Sequence, residues 1–255
     1  MAAQDALVFT GNRWAINSER WPAGESGACL AADGDFGVLP VYTKWMTRRN
    51  LGILIGASLP AMAQQPDNSF PLPANLPVPL DDGACDHLPG MKVPSTALRS
   101  TKGRMVDLAE PASGRVIVYA YPRTGTPGTT VPSNWDEIPG ARGCTPQSCS
   151  MRDHNQEVKA LGAVIFGLST QTTEYQKEVV DRLHLPFEIL SDVDLKLTHA
   201  LNLPTFTFDN MVLIKRLTLV LKDGKIEKVF YPVFPPDKHG EQIVAWLKRK
   251  QGIAG

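Results

Sequence analysis

Residues Gly143 to His154 read GCTPQSCSMRDH, and this stretch decides how the chain around it is organised. It carries Cys144 and Cys149, two of the chain's four cysteines. Pro146 follows Cys144 closely, and the residues after Cys149 turn into an amphipathic helical run. Upstream, Arg115–Tyr121 (RVIVYAY) is β-branched and aromatic, long enough for a central strand and too short for a helix. Downstream, Ala163–Leu168 (AVIFGL) is a second run of this kind. Cys144 therefore sits where a loop after a strand turns into a helix. Unpaired backbone N–H groups and the positive end of the helix dipole lie at such a place, and both favour thiolate over thiol. By position, Cys144 is a candidate nucleophile.

The pattern extends outward from this centre. A helix is expected from about Ser148 to Leu161. Thr172 or Thr173 can cap the next one, TEYQKEVVDRLH, which places Tyr175, Val179 and Leu183 on one face. Phe187–Leu190 reads as a third strand and Leu195–Leu201 as a short helix. Residues 217–231, LTLVLKDGKIEKVFY, form two runs split by Asp223-Gly224, a strong hairpin signal. Asp237 is expected to cap a last helix that turns Ile243, Trp246 and Leu247 to the core and closes on Lys248, Arg249 and Lys250. Gly103, flanked by charged residues, marks a turn between short strands. Thr124–Gly143 is loop, rich in Gly, Pro and Thr, and Trp135 is expected to pack it down. The order of these elements predicts one α/β domain with a mixed sheet over residues 81–255.

Composition narrows the function. Lys plus Arg and Asp plus Glu each number 26, so the formal net charge is zero. Nucleic acids and anionic membranes call for a concentrated basic face, and neither is supported as a partner. Four cysteines are too few for a disulfide scaffold at this length. Their spacing matches neither a zinc finger or ribbon nor the C-x-x-C of a dithiol oxidoreductase. No run is long enough to span a bilayer.

Residues 46–63 combine Arg48-Arg49, an apolar run from Leu51 to Leu59, and Ala61-Met62-Ala63. That is the pattern of a secretory signal peptide, and the Thr-Arg-Arg-x-Leu order points to twin-arginine export. On this reading Met46 is the start, residues 1–45 are an upstream extension, and the product is periplasmic or exported. The alternative is a cytoplasmic chain in which the apolar run is a short buried helix. Residues 64–80 are Pro-rich and form a linker or an arm.

Several separated motifs occur together and in order: YPRTGTPG (Tyr121–Gly128), GCTPQSCSMRDH, KALGA (Lys159–Ala163), LPFEILSD (Leu185–Asp192) and KRLTLVLKDGKI (Lys215–Ile226). Together they resemble the peroxiredoxin family, in particular its Q subgroup, the bacterioferritin comigratory proteins. The resemblance implies a thioredoxin-like fold, a central mixed sheet flanked by helices. It implies a thiol peroxidase acting on hydrogen peroxide or organic hydroperoxides, with no cofactor and no metal. Cys144 would be the peroxidatic thiol and Cys149 the resolving one, joined in an intramolecular disulfide that thioredoxin or a similar dithiol reductant reopens. Arg216 would supply the positive charge beside the thiolate. A monomer or weak dimer is expected.

The chain departs from the family at one place. Members run Thr-Pro-Gly straight into the reactive cysteine, whereas here fifteen residues, Thr129–Gly143, follow Gly128. Ala141 occupies the position of the family's peroxide-contacting hydroxyl, which leaves Thr126, folded back, or Thr145 to replace it. IPGAR (Ile138–Arg142) resembles the Pro-Gly-Ala loop of the peroxiredoxin-five subgroup. Arg152 and Asp153 are expected as a surface ion pair, His154 as a solvated helix residue, and Cys85 as an incidental thiol. Two other functions fit the same residues: a thiol–disulfide oxidoreductase, and a redox sensor that uses a Cys144–Cys149 bridge without turnover.

Overall fold

Alternation along the strand β3 (Arg115–Ala120) divides the core in two. Ile117, Tyr119 and the following Tyr121 point into one apolar cluster, and Val116, Val118 and Ala120 into another. A strand buried on both faces is what a run without polar alternation encodes. The computed structural model describes residues 72–253, apart from Pro111, Pro127 and Ser133. The signal peptide expected over 46–63, the upstream extension expected over 1–45 and the first part of the Pro-rich stretch lie outside the described residues.

The main sheet has seven strands in the order β2-β1-β5-β4-β3-β8-β9. β1 (Ala97–Ser100) and β2 (Met105–Asp107) form the hairpin expected around Gly103, which has φ +80°. β3, β4 (Ala163–Ser169) and β5 (Glu188–Ser191) run parallel. β8 (Leu217–Lys222) and β9 (Lys225–Phe230) form the hairpin at Asp223-Gly224, and β8 lies antiparallel to β3. Helices α1 (Cys144–Asp153), α2 (Asn155–Ala160), α3 (Thr173–Leu183) and α5 (His239–Lys250) cover the Ile117 face with Met151, Val158, Leu183 and Leu247. On the opposite face, α4 (Lys196–Ala200) contributes Leu197, beside Leu88 and Leu98. This is the expected mixed sheet flanked by helices. No helix among the described residues is long and apolar enough to cross a membrane.

Three details differ from the sequence reading. The helix expected over 148–161 begins four residues earlier, at Cys144, and is divided at His154, whose backbone takes φ −94°, ψ 1°. Gly143, at φ +104°, reverses the chain and starts the helix directly at the cysteine. Pro146 is then in the first turn, where its missing N–H costs nothing. Asp237 does not cap α5, which starts at His239 after a 3₁₀ turn at Pro236–Lys238. One orphan N–H of that first turn, from Gly240, is instead bonded to Ser150 Oγ of α1 at 3.0 Å. Finally, β6 (Thr205–Phe208) and β7 (Met211–Ile214) form a separate hairpin that the sequence reading did not contain. Its Asp209-Asn210 turn has both φ values positive, as a two-residue hairpin requires.

Candidate active site

Strand direction brings the two ends of the site together. Ala120 at the end of β3 pairs with Leu217 at the start of the antiparallel β8. Arg216 therefore emerges at the sheet edge from which the chain leaves for Cys144. Arg216 and Cys144 are both buried residues, 3 % and 4 % exposed, and Arg216 Nη2 donates to Cys144 Sγ at 3.2 Å.

The remaining N–H groups of Arg216 bind the backbone that delivers the cysteine. Nε donates to the Gly140 carbonyl at 3.1 Å, and Nη2 to those of Ala141 (3.0 Å) and Arg142 (3.1 Å). Nη1 donates to Gln147 Oε1, one helical turn beyond Cys144. Every one of these partners is neutral, and Arg216 has no carboxylate partner among the described residues. A buried guanidinium without a counter-ion is costly. Cys144 Sγ is the one member of this set of partners that can carry a negative charge, and it stands at the first residue of α1.

Behind Arg216, His239 is fully buried. Its Nε2 lies 2.8 Å from Thr218 Oγ1, and its Nδ1 lies 3.1 Å from Gln242 Oε1. Burial, with a smaller contribution from the Arg216 charge, pushes this imidazole down to about 4, so it is neutral at pH 7. A neutral ring there adds no second positive charge behind the guanidinium.

Cys149 lies in α1 with Cys144, half-buried against the same apolar cluster. Tyr119, beneath this helix, donates from its hydroxyl to Ser148 Oγ at 3.2 Å. Thr126 and Thr145 line a cavity of ≈ 100 Å³ that also opens on Cys144. The Thr126 hydroxyl pairs with the Tyr175 hydroxyl at 2.9 Å rather than with the sulfur or the guanidinium. Tyr175 in turn donates to the Thr124 carbonyl at 2.9 Å. Ala141 is buried with Trp135, Phe208 and Leu213, a packed position in which its carbonyl, not its side chain, serves the site.

The subsidiary expectations fare unevenly. Arg152 and Asp153 do form an ion pair, at 2.8 Å. His154 is less solvated than expected, its Nδ1 lying 2.9 Å from the Ser150 carbonyl. Cys85 is buried in the other core, and burial together with Asp82, Asp81 and Asp86 pushes its thiol up to about 12, which makes it a poor nucleophile. Among the described residues no group of His, Cys, Asp and Glu is arranged to hold a metal ion. Sequence reasoning missed Gln147, Tyr175 and His239 as neighbours of the site, and Arg123 as a residue that lines the cavity. Only Gln147 had a local signal, since three residues along a helix bring it above Cys144.

Gly143 is held to its identity twice over. Its φ of +104° disfavours any side chain, and a Cβ there would meet Pro236 Cγ at 2.3 Å and Leu72 Cδ2 at 3.1 Å. Gly143→Ala is expected to lower stability by about 2–4 kcal/mol, combining backbone strain with overpacking. Urea unfolding measures this, and a change below about 0.5 kcal/mol, the scatter of neutral substitutions, would show the contact to be slack.

The Redoxin family profile matches residues 88–244. Peroxiredoxin Bcp of Escherichia coli is 31% identical over 162 residues, covering 61% of this chain and 92% of its own length. This chain belongs to the peroxiredoxin family. A second peroxiredoxin, Peroxiredoxin Q, chloroplastic, of Sedum lineare, is 31% identical over 160 residues, or 62% of this chain and 77% of that protein. The crystal structure of Peroxidoxin BcpB from Mycobacterium tuberculosis superposes with a TM-score of 0.53 at 23% identity, covering 64% of this chain and 98% of that one. At that identity the likeness speaks for the fold. As a peroxiredoxin of the Q/Bcp type, the chain is a thiol-dependent peroxidase with a thioredoxin-like fold.

Proposed function

We propose that Cys144 is the peroxidatic thiol, Cys149 the resolving thiol and Arg216 the activating charge. The observation that carries this is the 3.2 Å contact between Arg216 Nη2 and Cys144 Sγ, buried at the head of the helix that also holds Cys149. The thiolate attacks the terminal oxygen of a hydroperoxide, and the O–O bond breaks. The leaving oxygen takes a proton and departs as water or an alcohol, while the sulfur becomes a sulfenic acid. Cys149 condenses with it, forming the S–S bond and releasing water. A dithiol reductant of the thioredoxin kind then exchanges with the disulfide, becomes oxidised itself and returns both cysteines as thiols. Thr126, which lines the cavity and pairs with Tyr175, is the hydroxyl assigned to the peroxide in this reading. Export from Met46 belongs to this reading and is supported by the 46–63 pattern.

The disulfide requires motion. In a regular helix, five residues rise about 7.5 Å and turn through about 500°, which places the two Cα atoms roughly 8–9 Å apart on different faces. A disulfide holds its Cα atoms at about 4.4–6.8 Å. Since α1 contains both cysteines, the turn between them has to unwind, releasing Gln147 from Arg216 and Ser148 from Tyr119.

The test is one equivalent of peroxide given to the reduced protein without reductant. The expected result is loss of two thiols, a mapped Cys144–Cys149 bridge, and faster amide exchange confined to about residues 145–151. In Cys149→Ser, a sulfenic acid should accumulate at Cys144 and be trapped by dimedone. A bridge with unchanged exchange protection would refute the unwinding. Disulfide exchange with proteins but no response to peroxide would favour the oxidoreductase reading, and a cycle that stops after one equivalent despite ample reductant would favour the sensor.

A further inference from the structure

Hydrogen peroxide needs room for two oxygen atoms, yet the cavity over Cys144 measures ≈ 100 Å³, several times what a single water requires. The surplus is lined on one side by residues of the fifteen-residue stretch ahead of Cys144. Val131, Pro132 and the Trp135 indole form an apolar wall there. Trp135 is 6 % exposed and is fixed from behind by Phe208, with ring centroids 4.8 Å apart. Trp135 is thus the anchored part of the wall, and Val131, 45 % exposed, is its outer edge.

Two guanidinium groups border this space. That of Arg142 is neutralised by Asp136 at 3.1 Å. That of Arg123 lies 5.7 Å from the Trp135 ring centroid and pairs with no carboxylate among the described residues. An aromatic face attracts the cation but is at most a weak acceptor for its N–H groups, which stay available to a planar anion.

We propose that Arg123 and the wall built by the stretch ahead of Cys144 make the site selective, among organic hydroperoxides, for those that carry a carboxylate, which Arg123 binds. The substrate class is then an anionic organic hydroperoxide, its carbon chain along Trp135 and Val131 and its O–O bond at Cys144. The proposal rests on Cys144 as the attacking thiol. The sulfur takes the terminal oxygen, the alkoxide acquires a proton, and the product leaves as a hydroxy acid.

The experiment measures kcat/KM with excess dithiothreitol for tertiary alkyl hydroperoxides bearing a carboxylate on arms of graded length. The matching methyl esters and hydrogen peroxide run alongside. At the best arm length the acid is expected to exceed its ester about tenfold, the scale of one charge-assisted pair. Arg123→Gln should bring that ratio to about one, while Arg123→Lys keeps part of it. Independently of any variant, the hydroxy acid product should compete with hydrogen peroxide turnover in the wild type, and its ester should not. Equal acid and ester rates at every arm length, or a ratio that survives Arg123→Gln, would overturn this selectivity. Absence of all peroxide turnover in the wild type would instead overturn the assignment of Cys144.

Discussion

Replacing Cys144 with serine is expected to lower peroxide consumption by about a thousandfold or more, to the background of the reductant alone. A serine hydroxyl stays protonated at the pH of the assay, and oxygen cannot take up the oxidation that sulfur accepts. No other described thiol can substitute. Cys149 is five residues along the helix, away from the Arg216 contact. Cys85 lies in the opposite core with its thiol pushed up to about 12. The assay is disappearance of hydrogen peroxide with a thioredoxin system, and Cys85→Ser should behave as wild type. Were Cys149→Ser to lose the first turnover and Cys144→Ser to keep it, the two roles would have to be exchanged.

Arg216→Ala is expected to slow the peroxide step by about a hundredfold to a thousandfold, the range seen when one preorganised donor is removed from a transition state. It also leaves the carbonyls of Gly140, Ala141 and Arg142 and the Gln147 amide without their donor. That should cost about 2–3 kcal/mol of stability through unsatisfied buried acceptors. Arg216→Lys should recover only part of the rate, because a single ammonium cannot reach both the sulfur and four separate oxygens. Stopped-flow oxidation of the reduced protein gives the rate, and urea unfolding the stability. Lost stability with an unchanged oxidation rate would reduce Arg216 to a structural strut.

What could be read from the sequence depended on how local its cause was. RVIVYAY encodes two-faced burial in its own composition, AVIFGL is a strand of the same kind that leaves Val164 exposed, and the Asp223-Gly224 turn needs only its two residues, so these elements lie where expected. The helix entry at Cys144 was legible, but the first residue of α1 was not, because Gly143 starts the helix with no capping side chain to mark it. Asp237 looks like a cap only as long as the Ser150 hydroxyl, far away in sequence, is out of view. The β6–β7 hairpin hides in TFTFDNMVLI because Asp-Asn, lacking glycine, is a weaker turn signal than Asp-Gly. In the site, the cysteines stood out by position. Arg216 came from the resemblance, because a lone arginine before a strand usually marks an ion pair. The partners Gln147, Tyr175 and Arg123 depend on contacts made across the fold.

The long excursion from β3 to α1 has a consequence in chain statistics. Pro122–Gly143 spans 22 residues between anchors that do not depend on its length. One is the strand register at Ala120 and the other is Gly143 wedged against Pro236. Lengthening such a tether raises its closure entropy only logarithmically. From the roughly seven residues left without Thr129–Gly143 to the present span, the cost is about 1 kcal/mol. Burial of Trp135 offsets this several times over, at about 4 kcal/mol as an upper bound. The four residues from Gly140 onward are fixed by Arg216 and Gly143, but residues 129–139 ahead of them form an exchangeable cassette. Its sequence can be rewritten to admit a different molecule while the sulfur and its guanidinium keep their places.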